Sequence, residues 1–299
     1  MPRVNRALDL LAHGATIYYT DAGELSYEAG RQQAATWADV LMVEFEHGPF
    51  DPVGLAAFMR GLVDGGPTPD GYRTPTIIAT LPANCRTVAE VRANAWQARQ
   101  VLGAGAPGIL HTHARRADAV RAFVEECRYP FSPPAAGLEE GQRGSGGQER
   151  AAAIWGVSLG EYLRLADPWP LNPDGELLLG VKIEDRHCLA VADAVAAVPG
   201  LAFAEWGPGD MGMSYNLPEA HDPPYPPELE AARHTVKAAC DAHGLAFLSS
   251  WNDGGHSQAE NVRYLLDWGA RIIAADEALA TMGRHMVEQR GASLQQLHR

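Results

Sequence analysis

Short apolar runs, rich in strand-forming residues, alternate along the chain with longer stretches whose apolar positions recur every three or four residues. The runs at 15–19, 40–46, 76–81, 108–111, 177–184, 201–206, 245–250 and 271–274 read as eight strands. Between most of them, the segments 53–63, 87–102, 117–127, 188–198, 226–243 and 257–268 carry the helical period. Strands that are almost continuously apolar suit a parallel sheet covered by helices on its faces. Eight such units predict an α/β fold of the (β/α)8 TIM-barrel type in place of an open doubly wound sheet.

The rhythm breaks once. Between the fourth and fifth expected strands lies a long interval, residues 113–176, that includes the Pro- and Gly-rich piece YPFSPPAAGLEEGQRGSGG and an expected helix at 148–155. Strands continue in phase on both sides. Residues 1–299 are therefore expected to form a single barrel domain, with the 113–176 excursion acting as an active-site flap or a subunit contact. No GxGxxG follows the first strand and no GxxxxGK[ST] occurs, so the usual marks of dinucleotide or nucleoside triphosphate binding are missing.

Composition narrows the partners. With 299 residues, 46% of them hydrophobic, the chain can bury a barrel-sized core. A formal net charge of −13 argues against nucleic acid or an anionic membrane surface, since both need clustered Lys and Arg. A small anionic substrate would need local positive charge. The four cysteines, Cys85, Cys127, Cys188 and Cys240, form no CxxC pair and read as buried reduced thiols. No run approaches the roughly 20 apolar residues of a membrane span, and the N-terminal stretch carries no cleavage-site pattern, so a cytoplasmic protein is expected.

In a parallel barrel the C-terminal ends of the strands converge on one mouth, and there the chemistry is concentrated. Glu184 and Asp210 close two consecutive strands, 26 residues apart, and could share one cation. Two hard oxygen ligands suit Mg²⁺ or Mn²⁺ and leave positions open for water and substrate. Such a metal can chelate the carboxylate and ketone oxygens of a 2-oxo acid and stabilise an enolate. Either acid alone could equally cap the following helix; the pairing on neighbouring strands favours the ion. His47 follows Glu46 at the end of the second strand, and period-two alternation puts Glu44 on the same face as Glu46. A carboxylate beside an imidazole makes a general base, although a lone strand-end histidine is more often structural. His111, His113, Arg115 and Arg116 at the end of the fourth strand could line the mouth or simply open a solvated helix. Trp251, Asn252, Asp253 and His256 follow the seventh, and Trp206 and Trp251 read as rim packing.

The stretches VEFEHGPFD (43–51), GVKIED (180–185) and FAEWGPGDMGMS (203–214), in this order and at barrel spacing, resemble three regions characteristic of the HpcH/HpaI aldolases. These are metal-dependent class II pyruvate aldolases related to the citrate lyase β-subunit fold. APGILHTHARRADAV and RYPFSPPAAG are similar to that family's fourth-strand region and the segment after it, so the resemblance spans roughly residues 40–275. It implies a (β/α)8 barrel in which Glu184 and Asp210 ligate the metal and His47 acts as acid/base. Glu44 fills an orienting position usually held by aspartate. The amides of Gly209 and Asp210 would receive the substrate carboxylate. It also implies a homo-oligomer, usually a hexamer, acting on a 2-oxo acid together with an aldehyde.

Two departures stand out. Thr80 occupies the position of the family's pyruvate-binding arginine, and Lys182 replaces a glutamine two residues before the metal glutamate. Lys182 is expected to supply the missing positive charge to the substrate, although an ammonium is no bidentate guanidinium. The leading expectation is a divalent-metal-dependent carbon–carbon lyase of the aldehyde-lyase type. The alternative keeps the metal and the enolate but changes the reaction to decarboxylation, acyl hydrolysis or CoA-thioester lyase chemistry. A non-catalytic ligand-binding barrel is disfavoured by the joint presence of Glu184, Asp210 and His47.

Overall fold

The computed structural model describes residues 3–297, with side chains as far as residue 290; the ends of the expected domain, 1–2 and 298–299, lie outside it. Among the described residues nine strands form in chain order: β1 Ile17–Asp21, β2 Val40–Val43, β3 Thr76–Asn84, β4 Gly108–Thr112, β5 Pro168–Trp169, β6 Leu177–Lys182, β7 Phe203–Glu205, β8 Ala246–Ser249 and β9 Ile272–Ala274. All pairings are parallel. β9 pairs back onto β1, with Ile17 opposite Ile272, and β4 pairs with β6, with Gly108 opposite Leu178, so eight strands close into a barrel. The two-residue β5 lies beside the start of β6 as an addition to that cycle.

Two nested cores follow from period-two alternation. Ile17, Val40, Ile78, Leu110, Leu178, Phe203, Leu248 and Ile272 belong to one buried cluster, the barrel interior. Their alternates Tyr18, Leu41, Ile77, Ile109, Leu179, Ala204, Phe247 and Ile273 join a second, larger cluster with the surrounding helices. Helix Arg6–Ala12 adds Ala7 and Leu11 to the inner cluster. It is pinned at the start of β3, because Thr76 Oγ1 accepts from Ala7 N at 3.0 Å and donates to Asn5 Oδ1 at 2.7 Å. The end of the barrel opposite the mouth is thereby plugged with apolar side chains. Further along the same inward register, the side chains turn polar: Tyr19, Glu44, Thr80, Lys182 and Glu205 line a cavity of about 180 Å³ at the C-terminal ends of the strands.

The expected 188–198 helix is two short ones, Arg186–Leu189 and Ala192–Ala196. The 113–176 excursion contains helices Ala117–Cys127, Gln148–Trp155 and Leu159–Leu165. Its flap reading is corrected by its contacts. Trp155 Nε1 donates to Gly105 O at 2.9 Å, and Arg73 Nε donates to Ile154 O at 2.9 Å. Gly105 and Arg73 precede β4 and β3, so this part packs at the end of the barrel away from the mouth. Within the excursion, a buried fork in which Arg128 Nε and Nη2 meet Asp167 at 2.7 and 3.2 Å ties the end of helix Ala117–Cys127 to the residue before β5. The four cysteines are free and buried. Among the described residues no helix is long and apolar enough to cross a membrane.

Candidate active site

The expected second strand stops at Val43, three residues early, and this decides what its acids do. Beyond Val43 the chain turns, so alternation no longer places Glu44 and Glu46 together. Thr80 Oγ1 on β3 accepts from the amides of Phe45 (2.7 Å) and Glu46 (3.0 Å) and donates to Glu44 Oε1 (2.8 Å). That carboxylate oxygen also accepts from the amides of Glu46 (2.6 Å) and His47 (3.1 Å). Glu44 and Thr80 thus shape the 44–47 turn, and Glu44 meets His47 through its backbone. The imidazole instead has Glu46 beside it, with Nε2 at 3.7 Å from Glu46 Oε2, and is 68% exposed on the rim.

The turn delivers Glu46 to the centre of the mouth. There its carboxylate pairs with the Lys182 ammonium, which also lies 3.9 Å from Glu184 Oε2 and 4.0 Å from Glu205 Oε2. Burial alone would discharge this lysine; Glu205, Glu184 and Glu46 outweigh it and hold the ammonium above its ordinary range. Lys182 is therefore committed to protein carboxylates. The reverse imbalance falls on the acids. Burial first, then Glu46 and Glu205, push Glu184 well above the usual carboxylate range against the pull of Lys182. Burial, then the neighbouring Glu46, Glu44 and Asp210, also raise Glu205 against the pull of Lys182.

Glu184 lies just past the end of β6. Its Oε1 accepts from the His113 amide at 3.0 Å, across the β4–β6 pairing, and Gly207 leaves room for its other oxygen, since a Cβ there would stand 2.9 Å from Oε2. His113 has φ +47, a left-handed conformation rare outside glycine, which aims both its amide and its ring into the site. Its Nδ1 is 3.0 Å from Asp185 Oδ2, an oxygen that Arg115 Nε also meets at 2.9 Å. Burial would raise Asp185, but the bonds from His113, the Cys188 amide and Arg115 hold it well below the ordinary carboxylate range. Asp210 stands in the first turn of helix Pro208–Ser214, whose N-cap Gly207 supplies no side-chain cap to the amides that follow, Gly209 and Asp210 among them.

Ligand atoms of Glu46, His113, Glu184 and Asp210 all lie within 4.8 Å of one another. Three carboxylates and an imidazole at this separation fit a hard divalent cation. Glu46 Oε1 is buried without a hydrogen-bond partner, which is costly unless something positive meets it. The structure thus brings Glu184 and Asp210 together and adds Glu46 and His113 to them. Their joint presence was hidden because it depends on two turns, one ending β2 early and one at a positive φ.

The remaining mouth candidates fall elsewhere. His111 points to the helix layer, edge-on to Phe123 with ring centroids 4.8 Å apart, and is buried. The exposed Arg116 pairs with the half-buried Asp118. Trp206 and Trp251 flank Tyr225 in an aromatic cluster, at centroid distances of 5.0 and 5.6 Å. In the loop after β8, His256 Nδ1 is 3.0 Å from Asp253.

No family model matches the chain. A hydroxypyruvate/pyruvate aldolase of Delftia acidovorans is 28% identical over 237 residues, covering 74% of this chain and 79% of the relative. A 2-keto-3-deoxy-L-rhamnonate aldolase of Salmonella schwarzengrund is 29% identical over 177 residues, covering 59% and 57%. Among solved structures, an HpcH/HpaI aldolase/citrate lyase family protein of Burkholderia cenocepacia superposes with a TM-score of 0.67 at 21% identity, covering 95% of each chain. These relatives are named as aldolases, which supports a lyase, and the barrel has the same fold as the solved HpcH/HpaI aldolase/citrate lyase family protein, the family its motifs resemble.

Proposed function

We propose that the chain is a divalent-metal-dependent aldolase that makes or breaks a carbon–carbon bond next to the keto group of a 2-oxo acid. The observation that carries the reading is the convergence of Glu46, His113, Glu184 and Asp210 within 4.8 Å. Bound there, Mg²⁺ or Mn²⁺ would supply Lewis acidity toward the carboxylate and ketone oxygens of the substrate. Glu184 and Asp210 would hold it, Glu46 would complete the acidic wall, and Asp185 fixes the His113 ring through Nδ1.

His47, exposed on the rim beside Glu46, is the group that moves the proton, because its ring can reach an incoming substrate from solvent. The Gly209 and Asp210 amides receive the carboxylate. Lys182 acts chiefly on the acids: it keeps Glu46, Glu184 and Glu205 from repelling one another and leaves the cation to neutralise the substrate. Thr80 shapes the mouth by holding the 44–47 turn. Pyruvate or hydroxypyruvate as the 2-oxo acid, with an aldehyde as second substrate, agrees with the names of the relatives.

A second reading, the same site serving decarboxylation or acyl chemistry, is favoured by one observation: Lys182 and Thr80, the two side chains standing for the family's substrate cation, are both taken up internally. The experiment is proton exchange of pyruvate's methyl group in D2O, followed by NMR with Mg²⁺ and with EDTA, then product analysis with an aldehyde panel. Mg²⁺-dependent exchange with a condensation product is expected. Exchange without any aldol product would move the assignment to the second reading, and no exchange with Mg²⁺ measurably bound would end both.

A further inference from the structure

On the outer flank of the barrel, the helices Pro52–Asp64 and Val88–Ala104 and the start of helix Gln148–Trp155 line an open cavity of about 680 Å³. In a chain of net charge −13 it has four arginines on its wall, Arg60, Arg99, Arg143 and Arg150, and no acidic residue. Such local reversal of sign concentrates anions.

Three features convert a basic wall into a built site. The loop Gly144-Ser145-Gly146-Gly147 lines it and runs directly into an eight-residue helix whose N-cap, Gly147, offers no side-chain cap. The first intrahelical bond there is from Ala151 N to Gly147 O, so the amides of Gln148, Glu149 and Arg150 precede it, where a helix accepts an anion. Gly147 has φ +74, and a Cβ added to it would stand 2.7 Å from Gly103 Cα, so only glycine brings the loop this close to the neighbouring helix. Arg143 is only 1% exposed; its guanidinium lies over Tyr129 at 4.7 Å, Nη2 donates to Tyr162 at 2.6 Å, and Nη1 is buried with no partner. Packed on Tyr129 and Tyr162, the Arg143 guanidinium has almost no accessible surface and adds a fixed positive charge behind the cavity wall. Among the described residues Arg60 and Arg150 are exposed and make no hydrogen bond or ion pair, whereas Arg99 is held by Glu126.

The opposite wall is apolar: Pro52, Val53, Ala56 and Ala57, with Val53 79% exposed. We propose that this cavity binds an organic phosphate, its phosphoryl group between the Arg60 and Arg150 forks and the glycine loop, its apolar portion against the Val53 wall. Guanidinium forks match phosphate bidentately, and the amides that open the helix complete the cradle, the Gly146 amide being taken already by Gln148 Oε1 at 2.5 Å. The site is separate from the aldolase centre and independent of its metal.

Isothermal titration calorimetry of the full chain with phenyl phosphate and with inorganic phosphate, each with and without EDTA, tests this. One site per chain is expected, unaffected by EDTA, tighter for phenyl phosphate, and weakened at least tenfold in Arg60→Ala/Arg150→Ala. Both substituted residues are exposed, and a thermal melt matching the parent verifies the fold. No saturable binding of either ligand, undiminished binding in the double variant, loss with EDTA, or phenyl phosphate binding no tighter than phosphate would each overturn the proposal.

Discussion

The amide of His113 donates to Glu184 Oε1 at 3.0 Å, joining the end of β4 to the residue just past β6. The same histidine's ring reaches Asp185, the next residue, at 3.0 Å. One residue at positive φ thus orients two consecutive acids, one toward the mouth and one beneath it.

Asp185 is the support in this arrangement, so removing its charge should loosen the site without touching a proposed ligand. Supporting carboxylates of this type contribute about 10–100-fold to metal affinity. Asp185→Asn is expected to weaken Mn²⁺ binding by that factor, measured by titration calorimetry. Parental affinity would show that His113 needs no orientation.

Gly207 has ordinary negative φ, and what a side chain there would strike is the movable end of Glu184, 2.9 Å from the added Cβ. The carboxylate can swing away at little cost in stability but leaves its position. Gly207→Ala should therefore keep its melting temperature within a few degrees and lose about tenfold or more in Mg²⁺-dependent exchange, a barrier change of roughly 1.4 kcal/mol. A variant that unfolds early would contradict this account of the contact.

Lys182→Met leaves Glu46, Glu184 and Glu205 facing one another. Breaking a buried ion pair costs about 3–5 kcal/mol, and a divalent cation can replace the missing charge. The variant should melt well below the parent in EDTA and recover much of the gap when Mg²⁺ is added, by differential scanning calorimetry. Equal melting of both proteins in EDTA would show that the ammonium is not what balances these acids.

His111 provides a pH dependence remote from the mouth. Burial pushes its imidazole down to about 3 from an ordinary 6.5, so the folded state holds it neutral where the unfolded chain is protonated. Its contribution is whole above about 6.5 and is lost as pH falls toward 3, at up to about 1.4 kcal/mol per pH unit. His111→Leu should flatten the acid limb of stability between pH 6 and 4, followed by urea denaturation. An unchanged slope would mean that this ring is protonated in the folded protein.

The barrel was legible from residues such as Ile17, Val40 and Leu110 because burial on both faces of a strand writes itself as uninterrupted hydrophobicity. Glu184 and Asp210 were legible for a related reason: strand ends of consecutive units must lie side by side. Glu46 and His113 were not. Each sits past a strand end, where alternation ceases to predict direction and a turn held by distant groups takes over. Glu44 was read as orienting the His47 ring, but Thr80, 36 residues away, joins it in capping a turn instead. The 113–176 excursion read as a flap because length and glycine content say only that a segment is irregular, not where it packs.

The order and burial of the strands, the closed α/β architecture and the presence of acids at its mouth were determined by local pattern, since each needs only the period of hydrophobic residues and the chain order. Which acid faces which partner was decided by tertiary structure. Lys182 looked like a substrate cation until the fold brought Glu46, Glu184 and Glu205 around it, because an ion's role depends on charges that are adjacent in space and up to 136 residues apart in the chain.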